Sequence, residues 1–152
     1  MKLNLKEIKN LLNKYYFFLY NPTKKQIKVI KSSNENKKTL KKIIKKLKKN
    51  NIIIRVKISL ISNKELNREK KSLLKTIGGP IYGTITEYKL ENKKLIKIPK
   101  KIKNKVYFPS NYLYKNKNNI KKLEKDIMKI ALYYTTNKLN NKLMAINKVN
   151  KL

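Results

Sequence analysis

The segment from Ile52 to Leu60 constrains the fold of this chain more than any other. Its sequence, IIIRVKISL, is rich in β-branched side chains, which favour extended backbone in a sheet. Three consecutive isoleucines are followed by an alternation of apolar and polar residues, as expected for a strand that leaves a core and turns one polar face outward. We predict a central strand with Arg55, Lys57 and Ser59 on its outward face.

A helical pattern precedes this strand. Four apolar residues repeat at the i, i+3, i+4, i+7 spacing of an amphipathic helix: Leu40, Ile43, Ile44 and Leu47. Candidate capping residues precede it: Ser33, Asn34 and Asn36. The polar face consists of lysines: Lys37, Lys38, Lys41, Lys42, Lys45, Lys46, Lys48 and Lys49. Charge runs on helices are usually hydrated, so we interpret each single lysine here as solvated rather than as a nucleic-acid contact.

Further strands are predicted on both sides of this pair. The aromatic block at 16–20 and the alternating segment at 26–31 flank the turn residues Asn21-Pro22-Thr23, which predicts a hairpin. Residues 81–88 form another β-rich segment, and short strands are predicted at 95–98 and 105–108.

Glycine occurs only between positions 78 and 83 of the chain. A glycine cluster can cradle phosphate, but no Walker-type or dinucleotide-binding motif accompanies Gly78, Gly79 and Gly83. We therefore interpret the cluster as a tight turn before the strand at 81–88.

Helical patterns also occur towards both ends of the chain. Five apolar residues predict an N-terminal helix: Leu5, Ile8, Leu11, Leu12 and Tyr15. Its other side carries Lys2, Lys6 and Lys9. A short helix is predicted over 64–74.

The last third of the chain contains two more helical stripes. One comprises Ile120, Leu123, Ile127 and Ile130, and the second comprises Leu139, Leu143 and Ile146. The pattern leaves open whether this tail packs on its own domain or on a partner. The expected fold class is α+β, a small mixed sheet packed by amphipathic helices with a C-terminal helical extension. We expect an RNA-binding domain over 1–118 and a helical segment over 119–152.

Charge is the main functional signal. The chain has 41 lysine and arginine residues against 8 aspartate and glutamate residues, a formal net charge of +33. Such a charge repels itself, and a phosphate backbone is the obvious neutralising partner. Asparagine and isoleucine are also abundant, and AT-rich codons favour all three residue types, so codon drift explains part of the excess. A merely hydrated lysine surface stays open as the alternative.

The composition argues against an enzyme. Histidine and cysteine, the usual sources of acid–base groups and transition-metal ligands, do not occur. The carboxylates are scattered, and the pair with helical spacing, Glu65 and Glu69, lies beside Lys64 and Arg68, which is typical of a salt-bridge face. We predict no catalytic residue, no cofactor and no metal.

The sequence gives no sign of a membrane partner. No uninterrupted apolar run approaches the roughly 18 to 20 residues that cross a bilayer. Residues 1–7 lack the features of a secretory or transit signal, so if the protein acts in an organelle we expect it to be made there or to be already processed.

Three landmarks occur in the order of a known family. Lys6-Glu7-Ile8 opens a helix, the strand at 56–60 follows a lysine-rich helix, and the leucine-containing stretch from Leu73 reaches Gly79-Pro80 before another strand. Over roughly residues 1 to 90 this order resembles the N-terminal rRNA-binding domain of the ribosomal stalk-base family, L-ten of bacteria and P-zero of eukaryotes. Departures occur at Ile58, where the family has asparagine, at 22–33, which resembles an insertion, and after Tyr88.

The resemblance implies specific roles for a few residues. Lys57 and Ser59 would face rRNA, and Gly79-Pro80 would form a structural turn. A C-terminal helix would anchor acidic stalk dimers, with Leu139, Leu143 and Ile146 as its candidate contacts.

We therefore predict a structural ribosomal protein that binds rRNA and neighbouring ribosomal proteins, in an organellar ribosome of the mitochondrial matrix or in the cytoplasm of a reduced-genome cell. The candidate RNA contacts are Lys2, Lys6, Lys9, Arg55, Lys57, Ser59, Lys64 and Arg68. Lysine dominance favours phosphate contacts over base recognition, for which arginine is better suited.

Two points stay open from the sequence. Tyr107, Tyr112 and Tyr114 have rings that can stack on bases, although we favour packing roles for them. A DNA-binding or regulatory protein and a cationic membrane-surface protein are the alternative functions; the first would show a helix-turn-helix and the second helices with aromatic apolar faces.

Overall fold

The computed structural model describes residues 14–33, 35–48, 50–60, 81–100, 104–108, 112, 115–116, 118–136 and 144–145. These residues form seven strands and two long helices. The strands are β1 (Tyr15–Asn21), β2 (Gln26–Ser33), β3 (Ile52–Leu60), β4 (Ile81–Glu91), β5 (Lys94–Lys97), β6 (Lys105–Phe108) and β7 (Met144–Ala145). The helices are α1 (Lys37–Ile44), between β2 and β3, and α2 (Ile120–Thr135), between β6 and β7.

The strands form one mixed sheet in the order β2-β1-β3-β4-β6-β7, with β5 paired to the far end of β4. Every pairing is antiparallel except that of β6 with β7, which is parallel. The predicted central position of β3 is confirmed, since it pairs with β1 on one side and β4 on the other. The α+β fold with a helix towards the C-terminus is thereby confirmed.

The predicted β1–β2 hairpin is also confirmed. Asn21 begins its turn, and its Oδ1 accepts hydrogen bonds from the backbone N–H groups of Thr23 at 3.0 Å and Lys24 at 3.2 Å. Lys25 then takes a positive φ of 54° before β2 starts. The pattern is that of an asparagine-initiated turn, in which the side chain takes the place of a backbone acceptor.

The larger core lies between α2 and one face of the sheet. Alternate residues of β1, β3 and β4 are buried there, including Phe18, Ile54 and Ile85. α2 contributes a stripe at helical spacing: Leu123, Ile127, Ile130, Ala131 and Tyr134. α2 therefore packs on its own sheet, and residues on both sides of the expected domain boundary at 118/119 share one core. Ile120 is an exception to its predicted role, because it is half-exposed at the start of α2.

Gly83 has a packing role within this core. It lies inside β4, within the strand predicted at 81–88, and a Cβ at this position would approach Cγ1 of Val56 to 2.9 Å. A side chain is disfavoured because the neighbouring strand leaves no room for it. Gly78 and Gly79 lie outside the described residues.

The smaller core lies between α1 and the other face of the sheet. Ile43 packs with Phe17, Ile53 and Tyr88, and Leu40 and Leu47 border the cluster. The predicted helix is confirmed, although it ends at Ile44 and leaves Leu47 outside it.

The predicted capping residues of α1 that the structure describes do not cap the helix through a side-chain hydrogen bond. Asn36 occupies the N-cap position without a side-chain cap hydrogen bond, and its Oδ1 is buried with no partner among the described residues. The hydroxyl of Thr39 instead donates to the carbonyl oxygen of Glu35 at 2.6 Å, and Ser33 Oγ accepts from the Glu35 N–H at 3.0 Å.

Two other expectations need correction. Tyr15 was assigned to an N-terminal helix but is the first residue of β1. A helix was predicted from 139 to the terminus, but Met144 and Ala145 form a strand that pairs with β6. The patterns at 5–12 and 64–74 lie outside the described residues. Neither described helix is long and apolar enough to cross a membrane.

Candidate nucleic-acid interface

The strand register brings the predicted contacts of β3 onto one face of the sheet. Residues that pair directly across antiparallel strands point to the same face. One row across four strands therefore contains Tyr15, Lys57, Thr84 and Lys105. A neighbouring row contains Arg55 and Thr86, and the row on the other side contains Ser59, Tyr82 and Tyr107.

These residues lie on the same face of the sheet as α1, next to the smaller core. We call it the basic tyrosine face and define it as Tyr15, Arg55, Lys57, Ser59, Tyr82, Thr84, Thr86 and Lys105. Arg55, Lys57 and Ser59 were predicted to lie outward on one side of their strand, and the structure places all three here.

Cations and rings alternate across the basic tyrosine face. Lys57 Nζ lies 5.7 Å from the centroid of the Tyr15 ring, and Lys105 Nζ lies 4.8 Å from that of Tyr82. Arg55 lies 5.5 Å from the ring of Tyr15. These distances are within the range of cation–π attraction, so each tyrosine ring is held beside a positive charge.

Arg55 has partners on two neighbouring strands of the face. Its guanidinium is also 5.5 Å from the Tyr88 ring, and Nη2 is 3.4 Å from Oγ1 of Thr86. Its Nε is buried and has no hydrogen-bond partner among the described residues. Burial raises the pKa of Tyr88, and the positive charge of Arg55 acts in the opposite direction.

Negative charge is placed elsewhere on the described strands. Glu87 pairs with Ile54 and therefore lies on the α2 side of the sheet. Glu91 lies at the end of the β4–β5 hairpin, where its carboxylate is 3.9 Å from Lys89. Both side chains of that pair are 54% exposed, so their attraction is screened by water. Within the described strands, the basic tyrosine face contains no carboxylate.

Glu87 instead forms an ion pair in the larger core. Lys100 Nζ lies 2.6 Å from Glu87 Oε1 and donates to the backbone oxygen of Tyr134 at 2.6 Å. The same ammonium group is 4.6 Å from the centroid of the Tyr134 ring. Only 2% of the Glu87 side chain and 12% of the Lys100 side chain are exposed. This arrangement joins β4, the segment after β5 and α2, which is a structural role.

Exposure and hydrogen-bond partners separate tyrosines that can contact a ligand from those that pack. Tyr15 and Tyr82 are half-buried, whereas only 4% of Tyr107 is exposed. Tyr112 borders the larger core and donates a hydrogen bond to Asp126, which also accepts from Lys122 at 2.9 Å. The packing interpretation is therefore confirmed for Tyr107 and Tyr112, while Tyr114 lies outside the described residues.

The face includes residues that sequence reasoning missed. Tyr82, Thr84 and Thr86 alternate with buried residues along β4, and this period-two pattern was available in the sequence. Lys105 and Tyr15 had no such signal, because their membership depends on which strands pair with β4 and β3.

A second basic surface surrounds α1. Its lysines are exposed, in agreement with the hydrated interpretation: Lys37, Lys38, Lys41, Lys42, Lys45, Lys46 and Lys48. Lys38 approaches Glu35 at 4.0 Å with both side chains largely exposed. None of these lysines forms a described cation–π contact or lies in a row of paired strand residues. These two features distinguish them from the basic tyrosine face.

The other predicted contacts cannot be placed on either surface. Lys2, Lys6, Lys9, Lys64 and Arg68 lie outside the described residues, as do Leu139, Leu143 and Ile146. Comparison of the chain with known protein families, with curated proteins and with solved structures finds no match.

Proposed function

We propose that the protein is a structural RNA-binding protein that uses the basic tyrosine face. The observation that carries this proposal is the convergence of Arg55, Lys57 and Lys105 with the rings of Tyr15 and Tyr82 on one sheet face. Cations attract the phosphate backbone, and tyrosine rings offer flat surfaces on which unpaired bases stack.

Composition supports a binding role without chemistry. The net charge of +33 favours association with a polyanion, and the chain has no histidine or cysteine to supply the commonest acid–base groups and nucleophiles. Hydroxyl groups of Ser59, Thr84 and Thr86 add neutral donors and acceptors between the cations. Such groups can bind phosphate and ribose oxygens, including the 2′-hydroxyl that distinguishes RNA from DNA.

Within this proposal the RNA is rRNA and the setting is a ribosome, with an organelle as the expected compartment. The stalk base of the large subunit is the finer assignment, supported by the order of landmarks from Lys6 to Pro80. Lys57 and Ser59, the positions that the resemblance assigns to rRNA, lie on the basic tyrosine face.

The test compares two double variants of equal charge. Arg55→Ala/Lys57→Ala removes two cations of the face, and Lys41→Ala/Lys45→Ala removes two exposed lysines in and next to α1. We expect the first pair to weaken binding to rRNA fragments more than the second, as measured by fluorescence anisotropy. Wild-type affinity should fall roughly a thousandfold between 50 and 200 mM salt if about six phosphates are contacted.

Two results would overturn the proposal. Equal losses in the two double variants would mean that RNA contacts only a diffuse charged surface. A flat salt response would mean that phosphate contacts do not drive binding. Thermal unfolding of both variants checks that each protein is folded at the assay temperature.

A further inference from the structure

A groove lies between α1 and the β2 side of the sheet, away from the basic tyrosine face. Its volume is about 480 Å³. Ten described residues line it: Leu19, Lys28, Val29, Ile30, Lys31, Thr39, Lys42, Ile43, Lys46 and Leu47. We call it the α1–β2 groove. It arises because α1 packs over β1 and β3, which leaves the adjoining surface of β2 uncovered by any described helix.

The lining combines an apolar interior with a basic border. Five of the lining residues are aliphatic, and four of them, Leu19, Ile30, Ile43 and Leu47, belong to the smaller core or border it. Four are lysines, and none of these forms an ion pair within the described part of the chain. An apolar strip bordered by unpaired cations is complementary to a segment with apolar side chains flanked by carboxylates.

We propose that the α1–β2 groove binds an amphipathic segment of an acidic partner protein. Apolar side chains of that segment fill the interior, and its carboxylates pair with Lys28, Lys31, Lys42 and Lys46. β2 lies at one edge of the described sheet, so a helical segment beside α1 extends the existing layer of helix on sheet.

Charge argues against an occupant from this chain. The segments 1–13, 61–80 and 137–152 each contain more lysine and arginine than glutamate and aspartate. A second copy of the protein carries the same net charge of +33. Either occupant would bring cations to a lysine border, which like-charge repulsion disfavours.

The lining also argues against RNA as the occupant. No described residue that lines the groove has an aromatic ring, whereas single-stranded RNA binds chiefly by stacking on rings and by phosphate contacts. The aliphatic interior gives no favourable contact to phosphate or ribose, so only the border would be used.

The test uses the full chain and three synthetic peptides of equal length. One carries a leucine stripe flanked by glutamates, one replaces the leucines with serine, and one replaces the glutamates with lysine. Lys42→Glu/Lys46→Glu reverses two charges of the border. Lys41→Glu/Lys45→Glu is the matched control, because these two lysines have the same spacing and are exposed, but do not line the groove.

We expect the leucine–glutamate peptide to bind wild-type protein, as measured by fluorescence anisotropy. The Lys42/Lys46 variant should weaken that binding about tenfold, and the control variant less than about threefold. The serine–glutamate peptide should bind more weakly and should respond equally to both variants. The leucine–lysine peptide should not bind.

Three results would overturn the proposal. Equal losses in both variants would show general charge attraction, and equal affinity of the serine peptide would show that the apolar interior is unused. If the Lys42/Lys46 variant instead selectively weakens the binding of oligouridine, the groove binds RNA. The outcome is separate from the RNA proposal above, because neither variant alters Arg55 or Lys57.

Discussion

The two faces of the sheet are made of alternate residues from the same strands but differ in how they are covered. On one face, α2 and the strands enclose Phe18, Ile54 and Ile85 almost completely. On the other face, α1 covers Ile53 but not the rows that contain Arg55 and Lys57. In those rows, cations lie beside tyrosine rings. Neighbouring positions of one strand therefore lie in different surroundings, so substitutions at them should have different consequences.

The largest expected effect comes from the buried charges on the apolar side. Lys100→Met removes the partner of Glu87, whose side chain is 2% exposed, and leaves a carboxylate in the core. We expect a loss of about 3 to 5 kcal/mol in the free energy of unfolding, measured by urea denaturation. RNA affinity at a temperature where the variant is folded should not change.

Two further variants serve as controls for this prediction. Lys97→Met removes an exposed lysine nearby and should change stability by less than about 0.5 kcal/mol. Glu87→Met/Lys100→Met removes both charges and should recover most of the loss, since a buried pair is often replaceable by apolar groups. A loss for Lys100→Met no larger than that for Lys97→Met would contradict the structural role of the pair.

A smaller effect is expected for Tyr16, which is buried on the same side. Burial, with a further contribution from the Glu124 carboxylate, raises the pKa of Tyr16 from 10.0 to about 12. Above pH 10 the unfolded chain loses this proton before the folded protein does, so stability falls as the pH rises from 10 towards 12. At pH 11 this amounts to about 1.4 kcal/mol.

Tyr16→Phe should remove that contribution. Its hydroxyl has no hydrogen-bond partner among the described residues, so the substitution should cost little at pH 8. Urea denaturation at pH 8 and pH 11 measures the difference, and lysine titration is common to both proteins. Parallel losses in the variant and the wild type between the two pH values would show that Tyr16 does not titrate as its burial requires.

The smallest effect is expected on the basic tyrosine face. Tyr82→Leu keeps apolar contact with Tyr107, whose ring centroid is 5.6 Å away, but removes the aromatic surface beside Lys105. We expect single-stranded RNA to bind about fivefold more weakly, corresponding to about 1 kcal/mol, and duplex RNA to be unaffected. Thr84→Val on the same face is the control for a change without loss of a ring.

This prediction tests whether the rings bind bases. An unchanged affinity of Tyr82→Leu for single strands, measured by anisotropy in the same buffer, would mean that the face contacts phosphates but not bases. A fall in stability comparable to that of Lys100→Met would mean that the two faces are not separated as described.

Local patterns predicted most of the described elements because each depends on neighbouring residues. The β1–β2 hairpin follows from the aromatic block, the Asn21-Pro22 turn and the alternation after it, and α1 follows from its stripe. The failure at the C-terminal end has a tertiary cause. Met144–Ala145 lies in a helical pattern but pairs with β6, so a tertiary contact overrides periodicity there.

The candidate interface was partly predictable. Alternation along β3 was enough to place Arg55, Lys57 and Ser59 on one side of a strand. Lys105 and Tyr15 join them only through pairings between segments distant in the chain. The α1–β2 groove was not predicted at all, because it depends on where α1 lies over the sheet and on which strand it leaves uncovered.

The excess of positive charge, the central β3 strand and the two amphipathic helices α1 and α2 can be read from the sequence alone. These follow from side-chain chemistry and from periods of two and 3.6 residues, which act over a few neighbouring positions. The tyrosines that lie beside Arg55 and Lys57, and the pairing of Lys100 with Glu87, depend instead on how the whole chain folds. Strand order and helix placement are set by burial summed over the whole molecule, and no single segment contains that information.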